Sequence, residues 1–180
     1  MKTPLLASLC VATLALTACD KKPNEAPASS AATTSSPATT QPATVALSTN
    51  NLKDIKNDLV EIQTLSQNRS KEALDLQDKA NQAAQKGDKA SLRTTVAEMK
   101  TYIANFNRDL DALALKSTEL DKVREKIKES NNLGIELSEE SIAEKPDMKK
   151  IDELRNRAMQ LQKELVADMQ ALENKVKTAQ

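Results

Sequence analysis

The 180 residues carry 26 basic and 26 acidic side chains, so the formal net charge is zero and there is no electrostatic case for nucleic acid as a partner. With no histidine, the usual proton shuttle is missing, and Ser-His-Asp and Cys-His nucleophile systems are excluded. Two glycines, one tyrosine, one phenylalanine and no tryptophan, in a chain rich in Ala, Leu, Glu, Lys and Gln, read as all helix in one domain at most.

The chain opens with Met1-Lys2 and then an apolar run, Leu5 to Leu16, relieved only by Ser8 and Thr13. That is the layout of a secretory signal, whose apolar stretch is about 7–15 residues, too short for a spanning helix of ~20. Leu16 stands where an ordinary cleavage site wants a small residue. Leu16-Thr17-Ala18-Cys19 resembles instead the lipobox of bacterial lipoproteins. The resemblance implies alkylation of the Cys19 sulfur by diacylglycerol, cleavage between Ala18 and Cys19 by signal peptidase II, and acylation of the freed amine. A thiolate is the best alkyl acceptor among side chains, which is the chemical reason for a cysteine there. One acyl chain holds a protein only marginally, and several hold it firmly, so the membrane is the first expected partner. Asp20 resembles the residue that retains enterobacterial lipoproteins in the inner membrane, although Lys21 departs from the partner that strengthens that signal. The implied location is the bacterial cell envelope, lipid-anchored and facing the periplasm, with the inner membrane favoured over the outer. Removing residues 1–18 takes away only Lys2, leaving 25 basic against 26 acidic side chains. Cys10 leaves with the signal and Cys19 is consumed, so the folded part has no disulfide to offer.

Residues 19–47 form a tether. From Ala26 to Thr44 every residue is Ala, Pro, Ser or Thr except Gln41, and Pro27, Pro37 and Pro42 forbid a continuous helix. With no charge and little apolar bulk, nothing offsets the entropy of ordering it. The expectation is a passive spacer reaching on the order of 30–80 Å.

Residues 48–180 form the helical domain, with helices expected over about 51–86, 88–132 and 147–178. Asn51 can cap the first, with Asp54 in its first turn. Its apolar seam is Leu52, Ile55, Leu59, Ile62, Ala73, Leu76, Ala80 and Ala83, interrupted at Ser66 and Arg69. Gly87-Asp88 fits a left-handed helix end followed by a new cap, and so short a link folds two helices back antiparallel. The second helix repeats Leu92, Val96, Met99, Ile103, Phe106, Leu110, Leu113, Ser117, Leu120, Arg124 and Ile127 at unbroken four–three spacing. It closes near Gly134 and would be about 65 Å long. Folding about Gly87 pairs residues whose numbers sum to roughly 175 and places Arg69 opposite Phe106 and beside Asp109. Arg69 is expected to lay its stem on the ring and pair with Asp109. Ser138-Glu139-Glu140-Ser141 could cap a short turn, and Lys145-Pro146-Asp147 breaks it. Asp147 then caps a third helix with the seam Met148, Ile151, Leu154, Ala158, Leu161, Leu165, Met169, Leu172 and Val176. This helix is expected to lie back along the second. The predicted fold is all-α, an antiparallel three-helix bundle of coiled-coil-like long helices, and a dimer could cover what it leaves exposed.

No catalytic, cofactor-binding or metal-ligating set emerges. Asp54/Asp58, Asp109/Asp111 and Glu139/Glu140 sit among lysines and read as solvated helix faces. No loop of alternating acids around a glycine offers a Ca²⁺ site, and neither glycine lies in a phosphate-cradling loop. Met148, Met159 and Met169 share one helix, with core filling favoured over a Met-rich binding face. The expected function is therefore non-enzymatic: a membrane-anchored helical interaction or scaffold protein meeting an unidentified protein partner. A self-associating envelope coiled coil comes next, and an envelope-active inhibitor after it. The chain ends Lys177-Thr178-Ala179-Gln180, unlike the terminal lysine of the abundant wall-linked lipoprotein.

Overall fold

A computed structural model describes residues 46–179, which form four helices: α1 (Leu52–Lys86), α2 (Lys89–Asp111), α3 (Thr118–Ser141) and α4 (Met148–Thr178). Signal, cleavage site and nearly all of the tether lie outside the described residues.

The expected caps of the first and last helices and of the first hairpin are in place. Asn51 accepts the backbone N–H groups of Lys53 and Asp54 at 3.1 and 3.3 Å, and Asp147 does the same for Lys149 and Lys150 at 3.0 and 3.2 Å. Gly87 sits at φ 66°, ψ 20°. Its N–H donates to the Ala84 carbonyl and the Asp88 N–H to the Ala83 carbonyl, which ties off two otherwise orphaned carbonyls of α1. Asp88 then caps α2 through the Ser91 N–H at 3.0 Å.

The continuous helix expected over 88–132 is not there. It breaks after Asp111, runs as an irregular strip through 112–117, and restarts at Thr118 as α3. Folded about Gly87, a helix reaching 132 would overshoot its partner, because α1 begins only at Leu52. Residues beyond about 123 would face no helix, and their apolar side chains would stay wet. The break reverses the chain so that Val123, Leu133 and Ile135 are buried instead. Gly134, expected as the terminator, lies inside α3, which continues to Ser141. Ser138 to Ser141, expected as a short capped turn, form the last turn of that helix.

The four helices run alternately up and down. Lys79–Glu98 (2.8 Å) and Arg69–Asp109 join α1 to α2. Lys100–Glu139 and Lys128–Asp111, both 2.7 Å, join α2 to α3. Lys126–Asp168 (2.8 Å) and Arg157–Glu129 (2.5 Å) join α3 to α4. Gln63 donates to Glu173 at 3.3 Å, closing α4 onto α1. α1 also approaches α3, whereas α2 and α4 do not approach one another. The last helix therefore lies along α1 and along the second half of the predicted long helix, not along α2.

Most of the buried apolar side chains fall into three groups. Ile55, Leu59 and Ile62 of α1 meet Leu115, Leu120, Val123, Leu165 and Met169 at the end where α1 begins. Ala73, Leu76, Met99, Tyr102 and Ile135 fill the middle of α1–α2–α3. Leu133, Leu154 and Leu161 seal α3 against α4. The expected neighbours Ile55 and Leu120, Ile62 and Leu113, and Leu76 and Met99 each share a group. Leu52 and Met148, assigned to seams by spacing, are exposed. Each sits in the first turn of its helix.

Candidate functional site

The sequence-derived site residues Ala18, Cys19 and Asp20 lie outside the described residues. What the structure adds is the architecture of the end from which the chain runs back toward them.

That end is closed by a clamp. Ser48 pairs with the strip before α3: its N–H donates to the Lys116 carbonyl at 2.7 Å, and its own carbonyl accepts the Thr118 N–H at 2.9 Å. The Ser48 hydroxyl donates to Asp54 at 2.7 Å. Asn50, in the left-handed region at φ 61° that asparagine tolerates, donates its N–H to Glu119 at 2.8 Å and accepts Lys175 Nζ at 2.5 Å. Three segments far apart in sequence are thereby pinned at the point where the chain enters the helical domain.

Beneath this clamp lies Asp58, a carboxylate that sequence reasoning missed. It is 1% exposed. It accepts the Lys116 N–H at 2.9 Å, the Ser117 N–H at 2.7 Å and the Ser117 hydroxyl at 2.5 Å. Ser117 stands at the cap position of α3 but makes no side-chain cap bond of its own. Asp58, fixed on α1, accepts the donors at the entry to α3 instead, and its negative charge suits the positive pole of that helix. The reading of Asp54 and Asp58 as a solvated face is corrected for Asp58. One signal was available: Asp58 lies between Ile55 and Ile62 on the buried stripe, where an acid needs a partner.

Halfway up, Arg69 pairs with Asp109 and with Glu72 at 3.3 Å. The Arg69 guanidinium, through hydrogen bond and charge, holds the Asp109 carboxyl below its ordinary value. Tyr102 donates its hydroxyl to the Arg69 carbonyl at 3.2 Å, and burial pushes its phenol upward. The Asp109 half of the expected Arg69 arrangement is therefore present. The Phe106 ring lies against Tyr102, with centroids 6.1 Å apart and planes 12° from parallel.

Two open grooves flank the helices. One, about 760 Å³, runs over α1 and α2 between Glu72, Asp75, Asp78 and Glu98, with Leu76 and Tyr102 also lining it. The other, about 500 Å³, lies over α3 and α4 with mixed charge from Lys126, Lys128, Arg157, Glu125, Glu129 and Glu136. Neither converges on a set of groups suited to acid–base or nucleophilic chemistry.

An apolar edge is the remaining feature. Leu74, Met148 and Met159 are more than half exposed, and Val166 is 39% exposed. Leu74 lies about three turns beyond Gln63, the residue of α1 that reaches α4. Met159 and Val166 lie two and one heptads before Glu173, the residue Gln63 reaches. All three therefore sit along the edge that α1 and α4 share. The preference for methionine as core filler holds for Met169, which is 2% exposed, and fails for Met148 and Met159.

Among the described residues no helix is long and apolar enough to cross a membrane. No curated protein and no solved structure matches the chain. Residues 56–177, spanning all of α2 and α3 and nearly all of α1 and α4, match one family. The chain belongs to that lipoprotein family, described as uncharacterised lipoprotein PM1805.

Proposed function

We propose that this lipoprotein is anchored in the bacterial cell envelope by lipidated Cys19, faces the periplasm, and acts there as a non-enzymatic helical bundle that binds a protein partner. Asp20 favours retention in the inner membrane, and residues 20–47 act as a spacer that sets the reach of the domain. The observation that carries the binding reading is the edge of Leu74, Met159 and Val166. These three large apolar side chains stand in water along one edge, and methionine side chains adapt readily to varied partners. Self-association through the same edge, giving a longer envelope coiled coil, is the second reading.

Site-directed photocrosslinking in intact cells tests both. A crosslinker placed at Leu74 or Met159 is expected to trap one discrete product, and one placed at Thr94, on an exposed face of α2, is not. A product of twice the chain mass selects self-association, and any other discrete mass selects a distinct partner. Equal crosslinking from all three positions, or none, contradicts an edge-directed interaction.

A further inference from the structure

We propose that the tether-bearing end of the helical domain docks on the anionic headgroups of the membrane that holds the chain, through Lys53, Lys56, Lys116 and Lys122. The inference rests on the lipid-anchor reading above and adds a contact that the anchor does not require. A spacer of this length lets the domain stand well away from the bilayer, so contact with the surface depends on what this end presents.

It presents free positive charge. All four lysines are exposed, and none forms an ion pair among the described residues, whereas Lys175 and Lys177 at the same end face Glu119 and Glu173. The acids that could neutralise them are engaged elsewhere. Asp54 accepts the Ser48 hydroxyl, Asp58 is buried beneath Ser117, Glu119 accepts the Asn50 N–H, and Asp121 pairs with Arg124. The clamp thus draws carboxylates inward and leaves ammonium groups outside.

Helix geometry gives these lysines no other role. α1 and α3 both begin at this end, and the acids Asp54, Glu119 and Asp121 in their first turns already meet their positive poles. Lys53 lies in the first turn of α1, Lys116 immediately precedes α3, and Lys122 follows in its second turn. Cations at Lys53 and Lys116 oppose the helix dipole, so helix stability does not account for them. An anionic surface does: each lysine close to such a leaflet shifts the docked population about fivefold at modest salt. The tether supplies the effective concentration that makes so shallow a contact count.

The test uses the lipidated chain purified from membranes and reconstituted in vesicles of phosphatidylcholine alone or mixed with phosphatidylglycerol. With Cys19 alkylated, a dye on Ala171→Cys reports the tether-bearing end, and one on Gln85→Cys reports the far tip. Energy transfer to a headgroup acceptor is then read. The expected result is greater transfer from position 171 than from 85, on phosphatidylglycerol vesicles only. It should be lost at high salt and in the quadruple variant Lys53→Gln, Lys56→Gln, Lys116→Gln, Lys122→Gln, whose helicity is checked by circular dichroism. Transfer that is equal on both vesicle types, or equal from both positions, overturns end-on docking while leaving the anchor intact. A chain that floats with neither vesicle overturns the anchor and the docking together.

Discussion

Replacing Asp58 by alanine isolates the contact on which the reversal of the chain depends. The carboxylate accepts three donors at 2.9, 2.7 and 2.5 Å, and two of them belong to Ser117, which is fully buried. Without Asp58, the Ser117 N–H and hydroxyl have no acceptor and no access to water. Each stranded donor costs about 1–3 kcal/mol. The Lys116 N–H lies closer to solvent and recovers part of its loss from water. The expected destabilisation is about 2–5 kcal/mol, a large share of a typical total of ~5–15 kcal/mol. In urea, with a slope of about 1–3 kcal/mol/M, the midpoint should fall by about 1–3 M. Circular dichroism at the helical band, on the chain from residue 20 onward, reads this directly. Asp58→Asn should lose less, since its carbonyl still accepts but its amide nitrogen faces donors. Asp54→Ala, one turn earlier and bonded mainly to the Ser48 hydroxyl, should cost under about 1 kcal/mol. If Asp58→Ala and Asp54→Ala unfold at the same urea concentration, the assignment of Asp58 as the acceptor for the entry to α3 is wrong.

The two glycines should respond in opposite directions. A Cβ at Gly134 meets nothing within 4 Å inside α3, so Gly134→Ala should raise stability by about 0.5–1 kcal/mol; a loss would restore Gly134 as a helix terminator. Gly87 is held at φ +66°, so Gly87→Ala should cost about 1–2 kcal/mol in thermal or urea unfolding although nothing crowds the position. Leu120, fully buried at the junction of α1, α3 and α4, should cost about 2–5 kcal/mol on truncation to alanine, and a cost below ~1 kcal/mol would place it outside the core. Asp109 is held below its ordinary value of 3.8 chiefly by the hydrogen bond from Arg69. The stability it contributes is present above its unfolded value and is lost as pH falls through the depressed folded value. Arg69→Gln should therefore move the Asp109 carboxyl midpoint upward in an NMR titration and shrink the loss of stability on acidification. An unchanged midpoint would detach Asp109 from Arg69.

Helix content, three of the four helix starts and the first hairpin were legible, because each has a local cause. Asn51, Asp88 and Asp147 cap by their own side chains, and Gly87 adopts a conformation that other residues resist. The break at 112–117 was not legible from spacing, since Leu110, Leu113, Ser117 and Leu120 keep the four–three rhythm across it and no Gly or Pro interrupts them. Its cause is tertiary: a buried carboxylate on another helix holds the N–H groups of Lys116 and Ser117, and Leu115 enters the core from extended chain. Two clues were present. Ser117 followed by Glu119 and Asp121 is a helix start with acids in its first turn, and a helix reaching 132 outruns its partner. Gly134 misled because glycine marks helix ends often but not always, and here α3 runs on for about two further turns, in which Leu137 packs on α4. The Arg69–Asp109 pair followed from the register set by Gly87, which holds in both readings. Met159 falls between the seam positions Ala158 and Leu161, so spacing already set it off the buried stripe, whereas Met148 was assigned to the seam and is exposed.

The proposed function rests first on an acylated Cys19 that begins the mature protein and tethers the four-helix domain to a membrane. Intact mass spectrometry of the chain extracted from cell membranes addresses it most directly. The expected species begins at Cys19, is heavier than its sequence by a diacylglycerol and one further acyl group, and is absent in Cys19→Ser. An exported species of unmodified sequence mass, or one whose first residue is not Cys19, would contradict it.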